Sequence, residues 1–226
     1  MRLLRRRAST FDVQVQDLVL RITAPEEVAE ESRAAALSFW EQLQSYALRH
    51  PEFRTSKRPI PDVEPDAPAV VREMVAAATA AAVGPMFTFR GAVVDQVGRF
   101  LAASVPEVTV ACDGDYFIKA RRRVKLAVRR HDADPIPIAI EPEPAGVGVS
   151  TTLGRGRGGV GPDGLAVVAD SCMLADAAAA GVQAIVTKPD GFGVALHYLR
   201  RVPGVRGAVV VVGDRIGLCG GVEIVA

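Results

Sequence analysis

The residues best suited to binding an anion are concentrated between positions 146 and 164, in the segment GVGVSTTLGRGRGGVGPDG. The segment holds eight of the chain's 21 glycines, and glycine lets backbone amides turn towards an anion. Its side chains add neighbouring hydroxyl groups and positive charge. They belong to Ser150, Thr151, Thr152, Arg155 and Arg157. This composition predicts either a cradle for a phosphate-bearing ligand or a solvated surface loop.

Part of the segment, GRGRGG at 154–159, matches the dinucleotide fingerprint G-x-G-x-x-G. That fingerprint requires a helix directly after the glycines, because the helix amides bind the pyrophosphate. Here VGPDG follows and does not favour such a helix. The string is also similar to an arginine–glycine RNA-binding motif, but no aromatic residue is interleaved to stack on bases. Both interpretations are therefore disfavoured.

Carboxylates form a second group of candidates. Asp113, Gly114 and Asp115 lie between two predicted strands, where Asp-Gly is the ordinary signal of a hairpin turn. The same pair of carboxylates could hold Mg²⁺ or a hydroxylated ligand. Asp176 lies in the apolar helix LADAAAAG, and Asp95 lies in GAVVDQV. Each of these needs a cation, a ligand hydroxyl or an exposed helix face.

Histidine and cysteine give weaker signals. The three histidines share no motif or close spacing, and His197 is expected to be structural. Cys172 at a predicted helix start could have a lowered pKa. No histidine is placed near it by the sequence, so a cysteine nucleophile is disfavoured.

The apolar pattern predicts the elements that would position these residues. FDVQVQ and LVLRI favour a strand pair turning at 16–17. Pro25, with Thr23 as a nearby cap, favours a helix that ends before Pro51. The proline-rich stretch 51–68 is expected to be an extended connection. Further helices are predicted at 69–83, 89–104, 171–181 and 194–202, and further strands at 108–112, 116–120, 124–130, 136–140, 165–170, 183–187, 207–213 and 222–226.

The order of these elements predicts an α+β fold, since helices and strands alternate without regular βαβ spacing. We expect a basic tail over residues 1–10 and one compact domain over 11–226. A net charge of +1 disfavours a nucleic-acid binder. Three unpaired cysteines indicate a reducing cytoplasm. The start of the chain is unlike a secretory signal, and no apolar run is long enough to span a membrane.

Several segments together resemble the ApbE-like proteins called UPF0280. They are HPEF, RPIPDVEPDAPAVVREMVAAATAAAVGPM, GAVVDQVGRFL, DGDYFIK, GVGVSTTLGRGRGG and VVADSCMLADAAAAG. That family is related to ApbE-type flavin transferases, which use Mg²⁺ and FAD to place FMN on a threonine or serine of a target protein. The resemblance implies a single ApbE-like, T-fold-like domain with antiparallel or mixed sheets and packed helices.

The resemblance also implies site residues. Gly91 and Asp95 would lie near a nucleotide or flavin. Gly114 and Asp115 would end an Asn-Gly-Gly-Asp turn, and Ser150, Thr151 and Thr152 would match a Cys-Thr-Ser-Ser stretch. Asp176 would be the metal-side aspartate of an Ala-Asp-Ala-x-x-Thr motif, with Asp115 as a second metal candidate.

The chain departs from the family pattern at several positions. Cys112 and Asp113 replace the Asn and Gly of the turn, Arg157 stands where a histidine is expected, and Ala180 replaces the motif threonine. Losing the threonine removes a metal ligand, and losing the histidine removes a group that titrates near neutral pH. Arginine cannot act as a base but binds phosphate well.

These departures favour binding of FAD, FMN or a related phosphorylated ligand, with Mg²⁺ as a possible companion. Arg155, Arg157 and the glycine amides would meet the phosphate. The alternatives are a catalytically inactive interaction subunit, with a protein partner or a second copy, and an active FMN transferase.

Overall fold

An eight-stranded antiparallel sheet forms the centre of the protein, which is described here from a computed structural model. The structure describes residues 8–24, 28–61, 63–130, 133–141, 143–152, 161–188 and 190–225.

The strands are β1 (Ser9–Val15), β2 (Leu18–Ala24), β3 (Val108–Cys112), β4 (Asp115–Lys119), β5 (Val124–Arg130), β6 (Ala133–Ile140), β7 (Val147–Thr152), β8 (Gly164–Ala169), β9 (Val205–Val212), β10 (Arg215–Gly220) and β11 (Glu223–Ile224). The helices are α1 (Ala29–Arg49), α2 (Pro51–Thr55), α3 (Ala69–Ala80), α4 (Phe89–Ala102), α5 (Cys172–Ile185) and α6 (Gly191–Arg201), with a 3₁₀ turn at Pro85–Thr88 before α4.

The large sheet has the order β1-β2-β3-β4-β7-β8-β9-β10, and a smaller sheet has the order β11-β6-β5. Helices α1, α4, α5 and α6 cover one face of the large sheet. The smaller sheet packs on the other face, against β4, β7, β8 and β9. Strands β7 and β8 are buried between these layers, which explains why β8 is apolar along its whole length.

The predicted α+β class is confirmed, as are the β1–β2 turn and the four later helices. The predicted strand at 183–187 is wrong, because α5 continues to Ile185 and its alanine-rich face, ending in Val182, packs in the core. Thr23 is not a helix cap, because it lies within β2. Part of the expected extended connection forms α2, where Pro51 takes the first helical position without losing a hydrogen bond.

Strands β7 and β10 are not predicted from the sequence, because glycines interrupt their apolar pattern. A Cβ added at Gly148 in β7 would lie 2.0 Å from the amide nitrogen of Cys172, so only glycine lets α5 approach this strand. Residues 147–152 are therefore a central strand and not part of a surface loop.

The division into a tail over 1–10 and a domain over 11–226 stays a prediction. Strand β1 begins at Ser9, within the predicted tail.

Helices α4 and α5 cap one another. The Asp95 carboxylate of α4 accepts a hydrogen bond of 3.0 Å from the amide of Cys172, the first residue of α5. In return, the Asp176 carboxylate of α5 accepts one of 3.1 Å from the amide of Gly91, in the first turn of α4. Each negative charge thus lies at the positive end of the other helix, where free N–H groups need partners.

Within the described residues, no single helix is both long and apolar enough to cross a membrane. Helix α3 and the segment Pro85–Ala102 reach that threshold together on length and composition, but they are bent by 103°.

The close approach of α4 and α5 can be tested by substitution at Gly91. Its added Cβ would lie 2.5 Å from the carbonyl oxygen of Cys172 and 3.0 Å from Cβ of Asp176. We expect Gly91→Ala to lower the free energy of unfolding by about 1–3 kcal/mol, since α4 and α5 must separate. Gly193→Ala is the matched control: it is also helical but meets nothing within 4 Å, and should be neutral or slightly stabilising. Equal stability of both variants in urea unfolding would contradict the steric argument.

Candidate functional site

A cavity of about 390 Å³ lies where the start of α4, the β3–β4 turn, the end of β7 and the middle of α5 meet. It has an apolar wall next to α4 and a polar wall formed by the strands and α5. The lining residues are Met86, Phe87, Phe89, Arg90, Asp113, Asp115, Ser150, Thr151, Asp176, Ala179, Ala180 and Gln183.

The β3–β4 turn presents two of the carboxylates. Asp113 and Gly114 have φ angles of 46° and 99°, as a two-residue hairpin turn requires. The carbonyl oxygen of Gly114 accepts hydrogen bonds from the amide of Thr151 at 2.7 Å and from its hydroxyl at 3.0 Å. The Asp-Gly pair is thus a hairpin turn, as predicted. The turn also fixes the carboxylates that flank Gly114 against the end of β7.

Register places Asp115 directly opposite Ser150 in the β4–β7 pair. Asp115 is buried, with 2% of its surface exposed. Its Oδ2 atom lacks a hydrogen-bond partner. Burial raises the pKa of Asp115 to about 6, although the Ser150 hydroxyl and Arg90 oppose the rise. A buried carboxylate oxygen without a partner is costly, so this atom is a strong candidate to bind a ligand or a cation.

Asp176 faces the same cavity from α5. Burial raises its pKa well above the ordinary value, and the negative charge of Asp115 raises it further, while the amide of Gly91 and the charge of Arg90 lower it. The carboxylates of Asp115 and Asp176 line the same cavity, and the charge of Asp115 disfavours ionisation of Asp176 by repulsion. A cation placed between them would relieve this repulsion.

The donor set fits a divalent cation bound together with a ligand. The described residues contain no group of three or more histidine, cysteine, aspartate or glutamate side chains that could hold a metal alone. Mg²⁺ often takes only one or two protein carboxylates and completes its shell with water and phosphate oxygens. The orphaned oxygen of Asp115 and the carboxylate of Asp176 match that pattern.

Several predicted site residues come together here. Asp115, Ser150, Thr151 and Asp176 line the cavity, and Gly114 lies in the turn that borders it. Thr152 is the last residue of β7. The predicted phosphate contacts Arg155 and Arg157 lie outside the described residues. Ala180, at the position expected for a threonine, does line the cavity one helical turn after Asp176 and offers no oxygen.

Gly91 and Asp95 do not line the cavity. Gly91 acts behind it by donating its amide to Asp176. Asp95 has 1% of its surface exposed and binds the N-terminus of α5. Both residues therefore support the packing of α4 and α5 behind the cavity wall. A direct contact with a nucleotide stays a prediction for each.

Arg90 is a cavity residue that the sequence analysis missed. It is the second residue of α4, and its Nε atom lies 3.4 Å from Oδ2 of Asp115. A cation in the first turn of a helix opposes the helix dipole. That local conflict, directly before Gly91, is the signal that could have identified it.

His50 and His197 lie outside the cavity, Cys172 is unreactive, and His131 lies outside the described residues. His197 is exposed on α6, and His50 stacks on Tyr46 with ring centroids 4.0 Å apart. Cys172 is fully buried, and burial raises the pKa of its thiol well above the ordinary value. A lowered pKa at this helix start is therefore wrong, because loss of solvent outweighs the favourable helix terminus.

Comparison with solved structures identifies the class of fold. The apo form of the flavinyl transferase ApbE from Pseudomonas stutzeri matches with a TM-score of 0.60 and 15% identity, over 97% of this chain and 96% of that one. The ApbE protein of Thermotoga maritima matches with a TM-score of 0.61 and 11% identity, over 96% and 97%. The protein thus has the ApbE fold, as predicted.

Sequence comparison identifies the family. A family model described as AbpE bacteria matches residues 1–196. A UPF0280 protein of Methanopyrus kandleri is 32% identical over 217 residues, which cover 92% of this chain and 88% of the relative. Another UPF0280 protein, from Methanocella arvoryzae, is 27% identical over 219 residues, which cover 93% and 88%. The chain belongs to the UPF0280 family of ApbE-like proteins.

The raised pKa of Asp95 predicts that the free energy of unfolding depends on pH. Burial raises its pKa to about 6, above the value near 3.9 of an unfolded aspartate. The folded protein therefore binds the proton more tightly, and this contribution to stability is lost as the pH rises through about 6. Between about pH 4.5 and about pH 7, Asp95 should lower the free energy of unfolding by about 2 kcal/mol.

The isosteric variant Asp95→Asn lacks this titration, while the other buried carboxylates titrate in both proteins. Urea unfolding at several pH values should therefore show a smaller decrease with pH in the variant than in the wild type. Asp214→Asn, in the exposed β9–β10 turn, should follow the wild type. Parallel curves for wild type and Asp95→Asn would refute a raised pKa at Asp95.

Proposed function

We propose that the protein binds a flavin nucleotide or a related phosphorylated ligand, together with Mg²⁺, in the cavity beside Asp115 and Asp176. The observation that carries the proposal is the pair of buried carboxylates in this cavity: Oδ2 of Asp115 lacks a hydrogen-bond partner, and burial together with the charge of Asp115 raises the pKa of Asp176. Ser150, Arg90 and the amide of Gly91 offset the two charges only in part, since Oδ2 of Asp115 lacks a hydrogen-bond partner, and a bound cation would offset them further.

The other cavity walls support the same ligand class. Ser150 and Thr151 offer hydroxyl groups next to the carboxylates, and Arg90 offers a guanidinium group for phosphate. Met86, Phe87 and Phe89 form an apolar wall on which an aromatic ring system could pack. The volume of about 390 Å³ lies within the usual size of small-molecule sites.

Mg²⁺ in this position would neutralise phosphate charge and orient the ligand. Asp115 and Asp176 would hold it. The chain's own contribution is then to bury these carboxylates, to fix Asp176 through the amide of Gly91, and to hold Asp115 against β7. The cavity wall keeps most water away from both groups.

FMN transfer to a protein hydroxyl is a second candidate function. Structural neighbours with the same fold include a flavinyl transferase, and the carboxylate pair suits a metal-dependent reaction of this class. Transfer would break the pyrophosphate bond of FAD, join the FMN phosphorus to the acceptor oxygen and release AMP. Ala180 lowers our expectation of this activity, because the cavity lacks the threonine oxygen expected one turn after Asp176.

We also place the protein in the cytoplasm. Cys112, Cys172 and Cys219 are free and buried, as expected for a protein of a reducing compartment.

Binding is tested by thermal unfolding with FAD, FMN or ADP in the presence and absence of Mg²⁺. At a ligand concentration about 100 times Kd, the free energy of unfolding should rise by about 2.7 kcal/mol. This corresponds to a rise in Tm of about 5 °C. Asp176→Asn should lose most of the Mg²⁺-dependent part of this rise, because it removes a charge next to the metal. Asp214→Asn is the control and should behave as the wild type. A wild-type Tm unmoved by all three nucleotides would refute the proposal.

Transfer is tested separately by mass spectrometry. The protein, FAD and Mg²⁺ are incubated with candidate acceptor proteins from the same cell, and the acceptor is searched for the added mass of FMN. Transfer that depends on Asp176 would support an active enzyme. Ligand binding without any added mass would support a protein that only binds the nucleotide.

A further inference from the structure

Arg90 is the only cationic side chain among the described residues that line the cavity. Burial lowers the pKa of its guanidinium, but the charges of Asp115, Asp176 and Asp113, in decreasing order of strength, outweigh this effect and raise the pKa. Arg90 is therefore the positive charge that offsets these carboxylates among the described lining residues.

The contact between Arg90 and Asp115 is loose. Nε of Arg90 lies 3.4 Å from Oδ2 of Asp115, whereas charge-assisted hydrogen bonds are usually about 2.7–2.9 Å long. The Arg90 side chain is 49% exposed, while that of Asp115 is only 3% exposed. The carboxylate is thus fixed, and the guanidinium lies on a flexible stem at the cavity mouth.

The same oxygen is the one best placed to bind a metal, since Oδ2 of Asp115 is buried and lacks a hydrogen-bond partner. Arg90 and a divalent cation cannot both occupy its free side. When a metal takes this oxygen, Arg90 loses its partner and its charge becomes available. A guanidinium group freed in this way at the cavity is well suited to bind the phosphate of the incoming ligand, because its planar donor fork matches the geometry of phosphate.

We infer that Arg90 couples the two ligands: it competes with the divalent cation for Asp115, and once displaced it binds the ligand phosphate. This inference rests on the proposed function, because it requires a metal at Asp115 and Asp176. Metal binding then strengthens phosphate binding not only by direct bridging but also by releasing Arg90. By linkage, the phosphate ligand strengthens metal binding by the same factor.

The test uses Mn²⁺ as the metal and FMN as a phosphate monoester, at a pH near 8. Mn²⁺ binding is followed by electron paramagnetic resonance and FMN binding by fluorescence, each with and without the other. The variant is Arg90→Gln, which keeps the length of the side chain and removes its charge. Because Arg90 is half-exposed, the variant should keep its fold, as circular dichroism will verify.

Arg90→Gln should bind Mn²⁺ alone about fivefold more tightly than the wild type, because the competing charge is gone. In the presence of Mn²⁺ it should bind FMN about tenfold more weakly, because the phosphate loses an arginine. Without Mn²⁺ its FMN affinity should change little. Arg122→Gln, exposed in the β4–β5 turn at the other end of β4, is the control and should match the wild type.

Two outcomes overturn the inference alone: Mn²⁺ affinity that is unchanged or weaker in Arg90→Gln, or an equal loss of FMN affinity with and without Mn²⁺. A wild-type protein that binds neither Mn²⁺ nor FMN overturns the proposed function as well. The two failures are therefore distinguishable, because in the first case the wild-type protein still binds Mn²⁺ and FMN.

Discussion

The reciprocal capping of α4 and α5 is the interaction on which the cavity depends. Asp95 holds the first amide of α5, and Asp176 holds an amide in the first turn of α4. Asp95 lies one helical turn after Gly91 in α4, and Asp176 lies one helical turn after Cys172 in α5. Each helix therefore both donates an amide to the other helix and accepts one from it, so the two helices fix each other's rotation and axial position. Their packing face requires Gly91, and the approach of α5 to the sheet requires Gly148.

This arrangement gives Asp176 two functions at once. Its Oδ2 atom takes part in the cap, and its position in the middle of α5 brings the carboxylate to the cavity beside Asp115. A residue tied to the frame of the fold has little freedom to move, so the cap holds the Asp176 carboxylate in the same cavity as Asp115. The fold therefore holds unfavourable charge at one place, as functional sites often do at the expense of stability.

The sequence predicted the parts of this arrangement that depend on local pattern. The Asp-Gly turn, the apolar helix around Asp176 and the α+β class all follow from spacing and composition. What it could not predict depends on residues far apart in the chain: the pairing of Asp95 with Cys172 spans 77 positions, and that of Gly91 with Asp176 spans 85. Strand β7 was missed for a related reason, since Gly148 weakens the strand pattern in order to admit a distant helix.

Helix α5 has alanine at position 180, where the resemblance to the family leads us to expect a threonine. At Ala180 helix α5 offers no hydroxyl, and its polar side chains at the cavity are those of Asp176 and Gln183. The hydroxyls of the cavity come instead from the end of β7, where Ser150 is buried opposite Asp115 and Thr151 is held to the turn by Gly114. Hydroxyls held in this way by neighbouring protein atoms are better suited to orienting a ligand than to moving a proton, because their hydrogen bonds to the protein compete with those to a substrate. This arrangement of hydroxyls supports the proposed binding of a charged ligand over the proposed transfer reaction.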